Sequence, residues 1–234
     1  MKAMILAAGR GERMRPLSDA MPKPLLEVGG KPLIVWQIGR LVAAGFTELV
    51  INVAHRGEMI AEKLGDGSRL GCTIRYSREP EPLEVAGGIA TALSLLGEGV
   101  ALIVSGDVYT EYDYAALRDH AAAMIAAPAP PHLHMVMVPN PAYHAAGDFG
   151  LVDGRLVLDG AARWTYGNIA LYRTTLFAEL PRREKLQILP LYRDWIGRGW
   201  ATGELYTGAW ANVGTTDDLI ALDRTLSLQE RTPR

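Results

Sequence analysis

The chain has 234 residues, of which 49% are apolar and 21% are charged, a composition typical of one compact α/β enzyme domain. Its net charge of −2 gives no general attraction to nucleic acid or to a membrane surface, so a nucleotide would have to be bound by local cations. The single cysteine, Cys72, excludes an intramolecular disulfide and a cysteine-rich metal site, and we expect it to be a small buried apolar residue.

The first predicted element is a short apolar strand at residues 2–7, of the kind that is buried at the start of a parallel sheet. Gly9 and Gly11 follow at its carboxyl end, where the absence of Cβ atoms lets an anion approach the backbone N–H groups. Arg13 and Lys23 come next, and two flanking prolines restrict the position of Lys23. We interpret this segment as a triphosphate-binding loop.

A Gly-x-Gly pair alone is also common in ordinary tight turns, and two familiar phosphate loops do not fit it. A dinucleotide-binding fingerprint requires a third glycine, where Met14 stands, and an acidic residue after the second strand, which ends at 52–54 without one. A P-loop requires Gly-Lys followed by Ser or Thr, whereas Lys31 is followed by Pro32. The cations and prolines that follow the glycines are what favour a phosphate loop over a simple turn.

Helices and strands alternate along the first half of the chain, which predicts a doubly wound, mostly parallel sheet with ligands at the carboxyl ends of its strands. The predicted helices are 32–44, 57–64 and 87–96, and the predicted strands are 48–54, 72–77 and 100–105. Asp107 follows the last of these strands, so its carboxylate is expected at the ligand-bearing edge. On the pattern alone, a helix-capping role for Asp107 is equally expected.

In the second half we predict a helix at 115–127, a stiff proline-rich connector at 128–131, and helices at 186–197 and 215–228 that flank a final strand pair within 201–213. Further strands are predicted at 132–138, 149–158 and 164–172, and the tail 231–234 is expected to be frayed. His132 and His134 would need further ligands to bind zinc, so ordinary core or surface histidines are favoured. One domain is predicted over residues 1–234.

Several short motifs follow one another in a fixed order. They are Leu6-Ala7-Ala8-Gly9-x-Gly11-x-Arg13-Met14-x-Pro16-Leu17, Pro22-Lys23-Pro24-Leu25, Lys31-Pro32-Leu33-Ile34, Glu81-Pro82-Leu83-Glu84-Val85-Ala86-Gly87-Gly88, Gly106-Asp107-Val108 and Trp210-Ala211-Asn212-Val213-Gly214-Thr215. This order resembles the signature of the sugar-1-phosphate nucleotidylyltransferases over nearly the whole chain. The resemblance implies a Rossmann-like nucleotidyltransferase fold with a small antiparallel extension on the sugar side. Residues 1–112 would mainly bind the nucleotide, and residues 113–234 would mainly bind the sugar phosphate.

The resemblance implies that a sugar 1-phosphate oxygen attacks the α-phosphorus of a nucleoside triphosphate and releases pyrophosphate. No protein nucleophile is needed, because the attacking oxygen is already anionic and the protein has to hold two anions in line. By the same resemblance Arg13 grips the phosphates, Lys23 contacts them near the reacting centre, and Asp107 binds Mg²⁺, the implied cofactor. The other implied nucleotide contacts are Leu6, Ala8, Gly9, Gly11, Gly87 and Gly88.

Asn212 departs from the family pattern, which places a second metal-binding aspartate in Trp-x-Asp-Val-Gly-Thr. An amide oxygen can still coordinate Mg²⁺, but it has no net charge and would weaken the site. Three interpretations are open: natural tolerance, an inactivating substitution, or a weakly active or non-catalytic protein that binds nucleotide sugars. The intact motifs elsewhere favour an active enzyme with an altered metal site.

Asp148 and Asn168 are the candidate sugar-binding residues, because they are polar interruptions of apolar strand regions on the sugar side. Many relatives carry a Glu-Lys-Pro motif whose lysine reaches the sugar phosphate, and this chain lacks it. Arg163 lies close to that position and is either the replacement or an ordinary exposed arginine.

The short length and the segments 106–110 and 147–149 are most similar to the uridylyltransferases that act on N-acetylmuramate α-1-phosphate in cell-wall recycling. UTP and that sugar phosphate are therefore the expected substrates, with no nucleic-acid or membrane partner. The alternative is the same reaction on glucose, N-acetylglucosamine or mannose 1-phosphate with another NTP. Met1-Lys2 leads directly into the first strand and no apolar stretch is long enough to cross a bilayer, so we expect a cytoplasmic protein.

Overall fold

Short apolar strands and amphipathic helices alternate along the chain, because the sheet and the helices bury their apolar faces against one another. The computed structural model describes residues 1–127, 130–160 and 162–230, without the side chains of 229 and 230. The connector predicted at 128–131 lies partly outside the described residues, and the tail predicted at 231–234 lies wholly outside them.

The strands are β1 (Ala3–Leu6), β2 (Glu27–Val28), β3 (Lys31–Pro32), β4 (Glu48–Val53), β5 (Thr73–Arg78), β6 (Val100–Ser105), β7 (Val108–Thr110), β8 (Leu133–Val138), β9 (Phe149–Val152), β10 (Arg155–Val157), β11 (Arg163–Arg173), β12 (Ala201–Leu205) and β13 (Trp210–Asn212). The α-helices are α1 (Leu17–Ala20), α2 (Leu33–Ala43), α3 (Gly57–Leu64), α4 (Glu84–Leu96), α5 (Leu117–Ala126), α6 (Leu189–Gly197) and α7 (Thr216–Glu230). Most of the predicted elements are present, with ends that differ by one to three residues.

Within the described ranges, nine strands form one mixed sheet in the order β5-β4-β1-β6-β11-β8-β12-β10-β9. Strands β5, β4, β1 and β6 are parallel, and their register aligns Ser77, Asn52, Leu6 and Ser105 in one row at the carboxyl ends. β11 then runs antiparallel to both β6 and β8. This row of strand ends is the edge from which the loops of the candidate site emerge.

The sheet is covered on both faces. Alternate residues of β1 point to opposite sides, so that Ile5 packs with α2, α3 and α5, whereas Met4 packs with α4 and α6. A smaller third cluster packs α7 against the β2–β3 hairpin and includes Met14. Cys72 is buried and free, as expected, and burial raises the pKa of its thiol.

Three predictions about the second half need correction. Parallel pairing joins the four strands from β5 to β6 and also joins β8 to β12, so the nine-stranded sheet is mixed. The antiparallel strands are not a small extension, because they continue the same sheet. The strand predicted at 149–158 is a hairpin, since Asp153 and Gly154 both have positive φ values, 47° and 74°, and form its turn. The strands within 201–213 do not pair with each other, because β12 joins β8 and β13 joins β7.

No helix of the described residues has the length and apolar character that a membrane span requires.

Candidate active site

A cavity of about 840 Å³ opens at the carboxyl ends of β4, β1 and β6, a size common for small-molecule sites. The glycine loop after β1 lines it, as do Lys23 and Asp107. The predicted residues that line the cavity are Leu6, Ala8, Gly9, Gly11, Arg13, Lys23 and Asp107. These residues meet because β1 and β6 are parallel neighbours, so the loops that follow them leave the sheet side by side.

The glycine loop owes its shape to two positions. Gly11 has a φ of +65°, a left-handed backbone that favours glycine, and its carbonyl accepts a hydrogen bond of 2.8 Å from the Met14 N–H. A Cβ built on Gly11 would lie 3.2 Å from the Cβ of Lys23, whereas one built on Gly9 would meet nothing within 4 Å. The loop therefore packs against Lys23 at Gly11 and leaves open space for a ligand at Gly9.

Lys23 and Asp107 form an ion pair at the centre of the site. The Lys23 ammonium donates to Asp107 Oδ2 at 2.6 Å, and its side chain is 10% exposed, against 31% for the carboxylate. A buried ammonium needs a compensating charge, so without ligand the aspartate supplies it. A phosphate could replace the carboxylate beside Lys23, and a cation could replace the ammonium beside Asp107.

Asn212 lies next to Asp107 because β13 pairs with β7. Asn212 is opposite Val108 in the register, and the Val213 N–H donates to the Asp107 carbonyl at 2.9 Å. Together Asp107 and Asn212 offer a carboxylate and an amide oxygen, both hard donors, on adjacent backbones. This donor set fits Mg²⁺, which takes few protein ligands and completes its shell with water and phosphate oxygens.

Arg13 reaches the loop that precedes α7. A Cβ on Gly214 would lie 3.4 Å from both Arg13 Nη2 and Asp218 Oδ2, so a side chain there would crowd the guanidinium. Asp218 accepts from the N–H groups of Gly214 and Thr215 at 3.0 and 2.8 Å, which holds this loop at the start of the helix. The Trp-x-Asn-Val-Gly-Thr motif thus meets the glycine loop through Arg13.

Tyr143 is a neighbour of the metal candidates that the sequence analysis did not identify. Burial raises the pKa of its hydroxyl, and a hydrogen bond with the Asn212 side chain opposes the rise. Tyr143 and Asn212 both line a second cavity of about 590 Å³. No local pattern marks Tyr143, because it stands in a loop between β8 and β9.

Asn52 and Glu79 form a buried pair at the other end of the nucleotide cavity, and the sequence analysis missed both. The Asn52 amide donates to Glu79 Oε1 at 2.7 Å and accepts from the Ala7 N–H at 2.9 Å. Glu79 Oε2 accepts from the Leu83 N–H at 3.0 Å. Burial raises the pKa of Glu79, and these hydrogen bonds oppose the rise. Asn52 is a polar residue at the carboxyl end of a buried apolar strand, a signal similar to the one that marked Asp107.

Gly87 and Gly88 lie within α4 and are not among the described residues that line the cavity. A Cβ on Gly88 would lie 2.9 Å from both Asn52 Nδ2 and Glu79 Oε1, so this glycine makes room for the buried pair. A Cβ on Gly87 would lie 2.1 Å from the Glu184 carbonyl oxygen, so a glycine at this position lets the 184–186 segment pack closely against the helix. Gly87 and Gly88 thus allow close packing behind the wall of the cavity.

The two predicted sugar residues lie apart from the cavity lining within the described part of the chain. Asp148 Oδ1 contacts His144 Nε2 at 3.0 Å, and Oδ2 accepts from the Tyr166 N–H at 2.8 Å. Asn168 has a φ of 59° and lies where β11 shifts register against β8. Arg163 is exposed and donates to the Asp148 carbonyl. Sugar binding by Asp148 and Asn168 stays a prediction.

Charges of both signs line the cavity, but cations are in excess at one end and carboxylates at the other. Arg10, Arg13 and Lys23 lie beside β1 with Glu12 and Asp107, whereas Glu79, Glu81 and Glu84 lie towards β5 with Lys185. β4 lies between β1 and β5, so their ends are about 10 Å apart by the usual strand spacing. Phosphates would favour the first end, and a base or ribose with N–H and O–H donors would favour the second.

Comparison with known proteins agrees with this geometry. The model of the nucleotidyl transferase family matches residues 2–154, which include the glycine loop, Lys23 and Asp107. The chain belongs to the nucleotidyl transferase family. The family match ends before β10, so it includes β8 and β9, whereas β10 to β13 lie outside it.

Two curated relatives of this nucleotidyl transferase cover nearly the whole chain, and both are named N-acetylmuramate α-1-phosphate uridylyltransferase. The protein of Neisseria meningitidis is 46% identical over 92% of this chain and 94% of its own. The protein of Caulobacter vibrioides is 30% identical over 96% of each chain. Among solved structures, the inositol-1-phosphate CTP transferase of T. maritima superimposes with a TM-score of 0.76 at 16% identity, covering 100% of this chain and 98% of that one, which shows a shared fold.

The close packing at Gly88 predicts a loss of stability for Gly88→Ala. The new methyl group would displace Asn52 and Glu79, and overpacking of this kind costs about 1–3 kcal/mol of unfolding free energy. Gly39→Ala in α2 is the matched control, because a Cβ there meets nothing within 4 Å and the higher helix propensity should add about 0.5–1 kcal/mol. Urea unfolding measures both changes, and similar shifts for the two variants would contradict the packing argument.

Proposed function

We propose that this protein transfers a uridylyl group from UTP to a sugar 1-phosphate, with N-acetylmuramate α-1-phosphate as the favoured acceptor and Mg²⁺ as the cofactor. The observation that carries the proposal is the meeting of the glycine loop, Arg13, Lys23 and Asp107 at one edge of the sheet. The names of the two relatives that span nearly the whole chain support the choice of sugar and nucleotide. Residues 1–112 would hold mainly the nucleotide, and residues 113–234 mainly the sugar phosphate.

In this proposal the chain acts by binding and charge. Gly9 and Gly11 leave room for the triphosphate, and Arg13 offers it a planar fork of donors. Lys23 would exchange its bond with Asp107 for one with a phosphate oxygen, so its charge reaches the reacting phosphate. Asp107 and Asn212 would hold Mg²⁺, which when bound offsets phosphate charge. No residue has to accept a proton, because the attacking phosphate oxygen is already anionic.

The acidic end of the cleft would select the base. Glu79 lines this end, and an ionised carboxylate has further acceptor positions beyond the bonds that its two oxygens accept from Asn52 and Leu83. Uracil carries an N–H at ring position 3, whereas cytosine carries an acceptor there, so Glu79 would favour UTP over CTP. Guanine also carries a ring N–H, so a contact with Glu79 would not by itself discriminate between UTP and GTP.

Pyrophosphate release, measured over a matrix of nucleoside triphosphates and sugar 1-phosphates with Mg²⁺, tests the activity. We expect the highest kcat/KM for UTP with N-acetylmuramate 1-phosphate. Lys23→Gln should lower kcat by about 10²–10³-fold, the usual effect of removing one electrostatic contact from a transition state. Arg15→Gln is the control, because Arg15 is exposed and forms its ion pair with the exposed Asp19. No turnover with any pair, or equal losses in both variants, would refute the proposal.

Asn212→Asp tests the metal pair. A carboxylate adds a negative charge beside Asp107, so the Mg²⁺ concentration for half-maximal activity should fall by about tenfold and kcat should rise. Asn212→Ala, which removes the oxygen donor, should move both quantities in the opposite direction. An unchanged Mg²⁺ titration and rate in both variants would remove Asn212 from the site. Tight UDP-sugar binding without turnover, even in Asn212→Asp, would instead support a nucleotide-sugar binding protein.

Glu79→Gln tests the choice of base. An amide can present either a donor or an acceptor, so the ratio of kcat/KM for UTP to that for CTP should fall by about tenfold, the value of one hydrogen bond to a charged group. Glu81→Gln is the matched control, because Glu81 lines the same cavity but is exposed. A ratio that is unchanged in Glu79→Gln, or that falls equally in both variants, would assign base selection to other groups.

A further inference from the structure

A second cluster of metal-binding side chains lies outside the nucleotide cavity. His120 is on α5, His134 on β8 and Glu204 on β12, and none of the three lines that cavity. One ligand atom from each residue lies within 4.8 Å of the other two. A helix and two neighbouring strands thus bring together two imidazoles and one carboxylate that are far apart in the sequence.

The separations suit one small cation. Glu204 Oε2 lies 3.4 Å from His120 Nε2 and 3.8 Å from His134 Nε2. Ligands on a tetrahedral Zn²⁺ with bonds of 2.0–2.1 Å are about 3.3 Å apart, close to both of these separations. The two rings are stacked, with centroids 4.0 Å apart and an angle of 19° between their planes, so the more exposed His120 ring would have to rotate for both Nε2 atoms to point at one ion.

His134 directs a buried ring nitrogen towards this cluster. Its Nδ1 lies 2.9 Å from Thr202 Oγ1, and the Thr202 hydroxyl donates to the Leu133 carbonyl at 3.3 Å. Nε2 is buried and has no hydrogen-bond partner among the described residues, and it faces Glu204 Oε2 at 3.8 Å. An imidazole held in this way by its other nitrogen is typical of metal ligands.

Glu204 is held in a similar way. The Tyr112 hydroxyl donates to Glu204 Oε1, which leaves Oε2 facing the two histidines. Tyr112 is 6% exposed, so its position is set by the core. Hydroxyl and carbonyl groups around a set of ligands orient them and increase metal affinity.

We propose that His120, His134 and Glu204 form a Zn²⁺ site in which Tyr112 and Thr202 orient the ligands. The His120 and Glu204 side chains are 44% and 29% exposed, so an ion can enter from solvent and keep a water molecule as its fourth ligand. The bound ion would cross-link α5 to the sheet strands β8 and β12. Because the site does not reach the nucleotide cavity, its role would be to stabilise the fold.

The test measures Zn²⁺ binding to the full chain after treatment with a chelator, in millimolar Mg²⁺. Calorimetry gives the affinity and the number of bound ions, and thermal unfolding gives the midpoint as Zn²⁺ is added. We expect one Zn²⁺ per chain and a midpoint that rises with Zn²⁺ concentration. His120→Ala should lower the affinity at least about tenfold, and Tyr112→Phe should lower it by about tenfold through the lost orientation of Glu204. His55→Ala, which removes an exposed histidine outside the cluster, should leave the affinity unchanged.

Two further measurements keep the result independent of folding and of the proposed activity. His134 is buried and its removal could disturb the core, so the decisive variant is His120→Ala, checked by circular dichroism. Asp107→Ala should abolish nucleotidyl transfer and leave Zn²⁺ binding unchanged, which separates this site from the active site. A midpoint that does not respond to Zn²⁺ would mean that the histidines only pair with Glu204. That result, or Zn²⁺ binding that survives in His120→Ala or is lost in Asp107→Ala, would overturn the proposal.

Discussion

The ion pair between Lys23 and Asp107 joins two loops that leave neighbouring parallel strands, and the arrangement of the active site depends on it. Each charge stabilises the other where water cannot fully do so, because Lys23 is buried and Asp107 is about a third exposed. In the proposed function a nucleotide phosphate would bind Lys23, and the cation that accompanies it would bind Asp107. The free protein thus keeps its reactive charges satisfied, and the pair would open only for a ligand that brings both an anion and a metal.

Strand order arranges the remaining charges around this pair. Cations are in excess after β1 and carboxylates are in excess after β5, with β4 between them, so the two ends of the cleft differ in charge. A nucleotide has the complementary polarity, with phosphates at one end and a base with N–H groups at the other. Glycines behind the wall, at 87 and 88, let α4 and the 184–186 segment pack closely enough to hold Asn52 and Glu79 in place.

The N-terminal half was largely predictable from local patterns. Helix 57–64 and strand 100–105 have the predicted bounds, because the apolar pattern and the glycines at their ends mark them directly. The second half was less predictable from local patterns, because the sequence of a buried apolar strand does not show whether its neighbours run parallel or antiparallel to it. Strand β11 lies antiparallel between β6 and β8, and β13 pairs with β7 outside the main sheet. The residues of β11 and β13 do not by themselves specify these partners.

The sequence by itself determined the family, the glycine loop and the principal charged residues, since these lie in short contiguous motifs whose chemistry is readable locally. Only the tertiary structure decided which distant side chains meet. It joined Asn52 to Glu79, brought Tyr143 to Asn212, and supplied His134 with His120 and Glu204, the further ligands that its own strand does not provide. The physical reason is that a sheet and its covering helices set distances between elements, whereas spacing along the chain sets them only within one element.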